Sequence, residues 1–199
     1  MINNILARRL DPLQRYGFRL TLFAVALSLI GIPFAWLILQ VSRKTWLVEW
    51  DTALSDRLFA MKLENAWTSK LFNAISFLGF PPLLWLIVGG ICFYLFRTGR
   101  KRLALYMGAT SAGVVINTVV KLAVDRPRPE FRDPAAITFQ SGQSFPSGHV
   151  MSTTVVYGAI LLIFLPLVAK RWRKAVVALT LGLVMIIGVA RLGLGVHYL

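Results

Sequence analysis

The chain has 199 residues, of which 57% are hydrophobic and only 15% are charged, and its mean hydropathy is +0.67. A soluble domain of this length carries more charge and interrupts its apolar runs more often, so the composition excludes an ordinary soluble protein. The net charge of +14 would indicate nucleic-acid binding in a soluble chain. Twelve of the 22 basic residues, however, lie in three short segments beside apolar runs, around residues 8–19, 97–102 and 170–174, which is typical of cytoplasmic loops.

Five uncharged apolar runs follow one another along the chain. A helix needs about 17–25 such residues to cross a bilayer, and lipid requires that backbone polar groups be satisfied within the segment. The runs cover residues 20–41, 71–96, 103–120, 150–169 and 175–190. The sequence therefore predicts an all-α, polytopic membrane helix bundle with five transmembrane helices, organised as one domain over residues 1–199.

The segments between these runs set the topology. Short, densely basic loops mark the cytoplasmic side, so the N-terminus is predicted inside and segments 42–70 and 121–149 outside a plasma (inner) membrane. Within segment 42–70, the spacing of apolar residues predicts a short amphipathic helix at the outer interface. Trp46, Trp50 and Trp67 are predicted to anchor it there.

Three segments interrupt the apolar pattern with residues that are costly at membrane depth. They cover residues 121–129, 144–149 and 191–197, and the topology places all three at the outer face. Arginine and lysine match phosphate oxygens, and a helix N-terminus binds anions through its free N–H groups. The predicted ligand is therefore a phosphate. The residues that converge are Lys121, Arg126, Arg128, Ser147, Gly148, Arg191 and both histidines of the chain, His149 and His197.

Each of these residues also has a purely structural interpretation. Lys121 and Arg191 can extend to the lipid headgroups, as basic residues at helix ends often do. Ser147 can serve as the N-cap of the fourth apolar helix, a role compatible with ligand binding. Arg126 and Arg132 are interpreted as solvated loop charges.

The three polar segments together resemble the signature motifs of the type-2 phosphatidic acid phosphatase and vanadium haloperoxidase superfamily. Their order and spacing fit over residues 121–199. The resemblance implies a six-helix membrane bundle that hydrolyses lipid phosphate monoesters or pyrophosphates without a metal or other cofactor. The matching residues are Lys121-x6-Arg128-Pro129, then Pro146-Ser147-Gly148-His149, then Arg191-x5-His197.

The resemblance also implies a role for each matching residue. His197 would be the nucleophile that takes the phosphoryl group, and His149 the general acid that protonates the leaving oxygen. Both roles suit imidazole, which titrates near neutral pH and is a competent nucleophile when neutral. The phosphate oxygens would be held by Lys121, Arg128, Ser147, Gly148 and Arg191.

Two departures from the family pattern stand out. Ala190 replaces the serine that usually precedes the third-motif arginine. The family also has an aspartate four residues after the nucleophile and then a sixth helix, and both would lie beyond Leu199. The expectation is a chain truncated before its last helix, or a substitute carboxylate from Asp125, Glu130 or Asp133.

Four functions remain open from the sequence. The first is hydrolysis of a lipid phosphate at the outer interface, with phosphatidylglycerophosphate, phosphatidate and undecaprenyl pyrophosphate as candidate substrates. The second is phosphotransfer between lipids on the same fold, which differs only in the acceptor. The third is an anion transporter lined by the buried cations, although charges clustered at one helix end favour an interfacial site. The fourth is a catalytically inactive binder. The expected partners are the lipid substrate and membrane lipids, and not nucleic acid.

Overall fold

A computed structural model of the chain describes residues 15–126 and 143–195. This part of the chain is helical, with no β-strand in it, so the predicted all-α class is confirmed. Two 3-10 turns, Leu165–Leu167 and Lys170–Trp172, join the last two helices. The helices are α1 (Arg15–Ser42), α2 (Trp46–Glu64), α3 (Ala66–Phe77), α4 (Pro81–Arg97), α5 (Lys101–Ala109), α6 (Ala112–Val124), α7 (Gly148–Phe164) and α8 (Arg173–Gly193).

Four helical spans in the described residues are long and apolar enough to cross a membrane. Ala66–Arg97 combines α3 with α4, and Lys101–Val124 combines α5 with α6. Gly148–Leu167 and Lys170–Gly193 contain α7 and α8. These four spans correspond to the second to fifth predicted runs. The first run lies in α1, in which Ser28–Ser42 is apolar.

The chain divides into two compact units, Met1–Leu47 and Val48–Leu199. In the first unit, α1 contains Pro33 within the helix. The second unit is built around an apolar cluster in which α4 and α5 pack against α7. The buried members of this cluster are Leu84, Val88, Leu95, Met107, Val156, Ala159 and Ile163.

The outer surface of the second unit is rich in large aliphatic side chains. Leu86 and Leu105 are each 75% exposed, and Leu179 is 72% exposed. Monomeric soluble proteins rarely expose apolar surface on this scale. The exposed leucines therefore mark the surface that contacts lipid, as expected for a membrane-embedded protein.

Two of the predicted runs are interrupted. Pro81 begins α4 after the extended residue Phe80, as expected for proline in the first turn of a helix. The break between α5 and α6 was not predicted, because run 103–120 is continuous in the sequence. There the Thr110 hydroxyl donates to the Met107 carbonyl oxygen at 2.6 Å, a local bond that competes with the regular helical pattern.

Helix α2 confirms the predicted helix in segment 42–70, but its buried face is mostly polar. Trp46 and Trp50 are exposed on it, at 67% and 57%. The exposed face of α2 mixes these tryptophans with charged side chains, which are Glu49, Asp56, Arg57 and Glu64. The buried positions, spaced by about one helical turn, are Asp51, Ser55, Phe59 and Lys62.

Candidate active site

The first motif segment begins on the last turn of α6. The helix ends at Val124, and Asp125 follows with a positive φ of 45°, a left-handed conformation that aspartate tolerates. The Asp125 N–H donates to the Lys121 carbonyl oxygen at 2.9 Å. Because Pro127 disfavours helical backbone at Arg126, the predicted helix stop is explained and confirmed.

Three hydrogen bonds join this segment to the residues that precede the second motif. The Lys121 ammonium donates to the Gln143 carbonyl oxygen at 3.0 Å. The Gln143 side-chain amide donates to Asp125 Oδ1 at 3.1 Å, and the Ser144 N–H donates to the Arg126 carbonyl oxygen at 2.8 Å. We call residues 121–126 with 143–144 the motif junction. It brings the first two motif segments together, and it shows that Lys121 is bonded within the protein rather than extended to the headgroups.

The second motif forms the N-terminus of α7. Ser147 has extended backbone and Gly148 is the first helical residue, so Ser147 occupies the N-cap position. Its side chain makes no capping bond, and its Oγ is buried without a hydrogen-bond partner among the described residues. The purely structural N-cap role proposed from sequence is therefore wrong for the side chain. A buried hydroxyl beside the free N–H groups of a helix start is placed to bind an anion.

Helix α6 packs closely against this helix start. A Cβ atom at Gly148 would lie 3.7 Å from Asn117 Oδ1, and the Asn117 amide donates to Met151 Sδ at 3.4 Å. Lys121 lies one turn after Asn117 on the same face of α6. The lysine and the α7 N-terminus are thus neighbours. His149, the second residue of α7, is half-buried at this end of the helix.

The third motif begins at the end of α8. Arg191 is 4% exposed, and its Nη1 donates to the Ser76 hydroxyl oxygen on α3 at 3.0 Å. A Cβ atom at Gly188, one turn earlier, would lie 3.7 Å from Val150, next to His149. The interpretation of Arg191 as extending to the headgroups is therefore wrong, because its guanidinium lies inside the protein. Ser76 is a site neighbour that the sequence did not indicate.

Arg126 is not a solvated loop charge, contrary to the sequence interpretation. Its Nη2 donates to Asp51 Oδ2 at 2.9 Å, and the two side chains are 8% and 6% exposed. Asp51 belongs to α2 and was also missed. The sequence does not distinguish Asp51 from the other charged residues of α2, so it does not identify the partner that a charge buried in a membrane protein requires.

The remaining predicted site residues lie outside the described residues. These are Arg128 and His197, together with Glu130, Arg132 and Asp133. The chain is described up to Gly195, which has φ of +69°, and a Cβ atom there would lie 2.7 Å from Phe59 Cδ2.

The charges of the described site are suited to an anion and offer little for a metal ion. No group of three or more His, Cys, Asp or Glu residues that could hold a metal occurs in residues 15–126 and 143–195. Lys121 and Arg191 instead place positive charge near the α7 N-terminus, whose helix dipole has the same sign. Together they can hold a phosphate and stabilise charge that develops on it.

A separate small pocket with a volume of about 20 Å³ lies between α4, the α5–α6 break and α7. None of the predicted phosphate-binding residues lines it, and most of its wall is apolar. It is therefore not the phosphate site. Its lining is Pro81, Leu84, Trp85, Val88, Thr110, Ser111, Gly113, Val114, Ser152, Val155 and Val156.

Comparisons with known proteins identify the family of the chain. Residues 100–199 match the sequence profile of the PAP2 superfamily. Phosphatidylglycerophosphatase B of Bacillus subtilis is 32% identical over 155 residues, which cover 74% of this chain and 72% of that protein. The crystal structure of a transmembrane PAP2-type phosphatidylglycerolphosphate phosphatase from Bacillus subtilis aligns with a TM-score of 0.66 and 25% identity, covering 84% of each chain. The expected resemblance is confirmed, and the chain belongs to the PAP2 superfamily.

Proposed function

We propose that the protein hydrolyses the terminal phosphate of a membrane lipid, with phosphatidylglycerophosphate as the leading substrate. Family membership supports a lipid phosphatase, and the Bacillus subtilis relative is named for that substrate. The exposed apolar surface of the second unit supports a lipid that approaches from the bilayer.

The observation that carries the proposal is the buried position of the Ser147 hydroxyl. Its hydroxyl is buried at the start of α7 and has no hydrogen-bond partner among the described residues. Burying an unsatisfied hydroxyl costs about 1–3 kcal/mol, so a ligand that accepts its hydrogen bond would recover that free energy. A phosphate oxygen has the right charge, because Lys121 and the helix dipole both favour an anion there.

In the proposed reaction, a neutral His197 nitrogen attacks phosphorus as the bond to the lipid oxygen breaks. His149 gives a proton to that oxygen, so the lipid leaves as an alcohol and a phosphohistidine remains. Water then attacks phosphorus and gives a proton back to His149, and inorganic phosphate and neutral His197 are released. Lys121, Arg128, Arg191, the Ser147 hydroxyl and the Gly148 N–H hold the oxygens of the transferring group.

The test is phosphate release by the purified protein in detergent micelles. Phosphatidylglycerophosphate, phosphatidate and undecaprenyl pyrophosphate are each offered, with and without a second lipid alcohol as acceptor. We expect free phosphate from the first substrate, and loss of that activity in His197→Ala and His149→Ala. Acid-labile label on His197 from radioactive substrate would support the covalent step. Full activity in His197→Ala would contradict it, and transfer to the added alcohol in place of release would identify a phosphotransferase.

We further propose that the site faces away from the cytoplasm. The support is the three short basic segments, which alternate along the chain with the polar motif segments. In a Cys92→Ala background, Glu64→Cys on α2 should react with a membrane-impermeant thiol reagent in intact cells. Arg100→Cys, in a basic loop, should react only after the membrane is broken. The reverse pattern would place the site on the cytoplasmic side.

A further inference from the structure

Helix α2 contacts two of the three motif segments, although it carries none of the motif residues. We propose that Asp51 is a positioning residue for the reaction, and that it acts by holding the motif junction through Arg126. The inference rests on the proposed function, because it concerns the geometry of the same phosphate site.

The contact between Asp51 and Arg126 is a buried ion pair. The guanidinium donates to the carboxylate at 2.9 Å, and both side chains are more than nine-tenths buried. Burial removes the screening that weakens surface pairs, and charge-assisted hydrogen bonds fix direction as well as distance. Removal of one partner takes a compensating charge away from a buried group, which is destabilising. The pair therefore fixes the side chain of Arg126 to α2.

The backbone of Arg126 belongs to the motif junction. Its carbonyl oxygen accepts the Ser144 N–H at 2.8 Å, three residues before Ser147. Within the same junction, the Lys121 ammonium donates to the Gln143 carbonyl oxygen, and the Gln143 side-chain amide donates to Asp125. A displacement of Arg126 is thus transmitted both to the lysine of the first motif and to the segment that leads into the α7 N-terminus.

A second contact of α2 supports the same role. The Phe59 ring lies against Gly195, where a Cβ atom would come within 2.7 Å of it. Gly195 is two residues before His197 in the sequence. Asp51 and Phe59 both lie on the buried face of α2, about 12 Å apart along the helix axis at 1.5 Å per residue. Because a helix is stiff over this length, α2 sets the spacing between the first and third motif segments.

The proposal predicts a kinetic effect of a particular kind. A phosphoryl acceptor and its anion-binding groups must be aligned closely, and a misplacement of about 1 Å can lower the rate by about 10²-fold. Asp51 is proposed to act on the reaction through its ion pair with Arg126. Its loss should therefore lower kcat through geometry, with a much smaller effect on KM.

The experiment compares four variants of the full chain in detergent micelles. Asp51→Asn keeps the shape and removes the charge, and Asp51→Glu keeps the charge at a longer reach. The double variant Asp51→Leu with Arg126→Met removes both charges together, which avoids the destabilisation caused by removing only one of them. Glu49→Gln is the matched control, because it makes the same carboxylate-to-amide change at an exposed position of α2.

We expect kcat per folded molecule to fall by about 10²-fold in Asp51→Asn and at least about tenfold in the double variant, with KM changed by less than about threefold. Asp51→Glu should recover part of the rate, and Glu49→Gln should match the parent. Hydrogen exchange of peptides covering residues 121–126 and 143–148 should be about tenfold faster in Asp51→Asn than in the control. A kcat within about twofold of the parent in the folded Asp51 variants would overturn the proposal.

The hydrogen-exchange measurement separates this inference from the proposed function. If the parent releases no phosphate from any lipid offered, the proposed hydrolase activity is wrong. Faster exchange at the motif junction would then still support the positioning of that junction by Asp51. Unchanged exchange in Asp51→Asn and in the double variant would overturn it whatever the activity.

Discussion

A single methyl group at the end of α8 should disturb the arginine of the third motif. Gly193 is the last residue of this helix, two residues after Arg191. A Cβ atom there would lie 2.1 Å from Phe72 Cε2, 2.5 Å from Cδ2 and 2.7 Å from Cζ. Carbon atoms make favourable contact at about 3.5–4.0 Å. Gly193→Ala therefore requires the Phe72 ring or the end of α8 to move by roughly 1 Å or more.

The ring has little room to move, because Phe72 is itself buried against Ala190 and Leu194. Overpacking of a filled core costs about 1–3 kcal/mol. For a protein of this length, each kcal/mol lowers the unfolding midpoint by about 2–4 °C, so Gly193→Ala should lose roughly 2–12 °C. The same movement displaces the guanidinium of Arg191 from Ser76 and should lower kcat/KM for lipid phosphate by about tenfold or more.

Gly182→Ala is the matched control on the same helix. A Cβ atom at Gly182 meets nothing within 4 Å among the described residues, and alanine is favoured over glycine inside a helix by about 1 kcal/mol. The midpoint of heat-induced unfolding in detergent should therefore stay level or rise. Phe72→Ala should make Gly193→Ala nearly harmless when the two are combined. Equal midpoints for the two single glycine variants, or no coupling between Gly193→Ala and Phe72→Ala, would refute the steric reasoning.

Three further outcomes are expected. Ser147→Ala removes a buried hydroxyl that has no described partner, so it should raise the unfolding midpoint slightly and lower kcat/KM by about 10–10²-fold. A decrease in both the midpoint and kcat/KM would mean that the hydroxyl stabilises the fold. Arg128→Lys should raise KM for the lipid, because a guanidinium that can bind phosphate bidentately is replaced by a point charge. Arg126→Lys should mainly lower kcat, because it alters the pair with Asp51. The same change in KM and kcat in both variants would count against separate roles. Activity should survive a chelator that removes divalent ions, because fixed cations supply the charge that a metal would bring, and restoration of lost activity by a divalent ion would show the opposite.

The sequence was informative about helices and about where they end. Uninterrupted apolar runs and prolines act locally. In the structure α4 begins at Pro81, and α6 ends at Val124, three residues before Pro127 in the sequence. The convergence of Lys121, the α7 N-terminus and Arg191 also followed from topology, because helix ends on one side of a membrane must share that side. The break at Thr110 could not be predicted, since no proline or charge marks it.

The contacts that support the site could not be predicted from the sequence. Asp51 and Arg126 are 75 residues apart in the chain, and Ser76 and Arg191 are 115 apart. Local patterns assign a residue to a helix face, but they do not choose its partner among several helices. This is why Arg126 and Arg191 had plausible surface interpretations. Only the packing of α2 and α3 against the motif segments shows that both guanidinium groups lie inside.

In a bilayer, the hydrophobic pattern of a helix identifies its outer face, so the inner face is better found from the polar residues. On α2, Asp51, Ser55 and Lys62 recur at helical spacing, and all three are buried while the tryptophans are exposed. On α6, Asn117 and Lys121 are one turn apart, and both bond toward the second motif segment and α7. Polar groups that cannot be solvated by lipid collect where they can bond to one another or to a ligand. Polar inner faces of several helices therefore meet around the proposed phosphate site, and α2 joins them through the ion pair between Asp51 and Arg126.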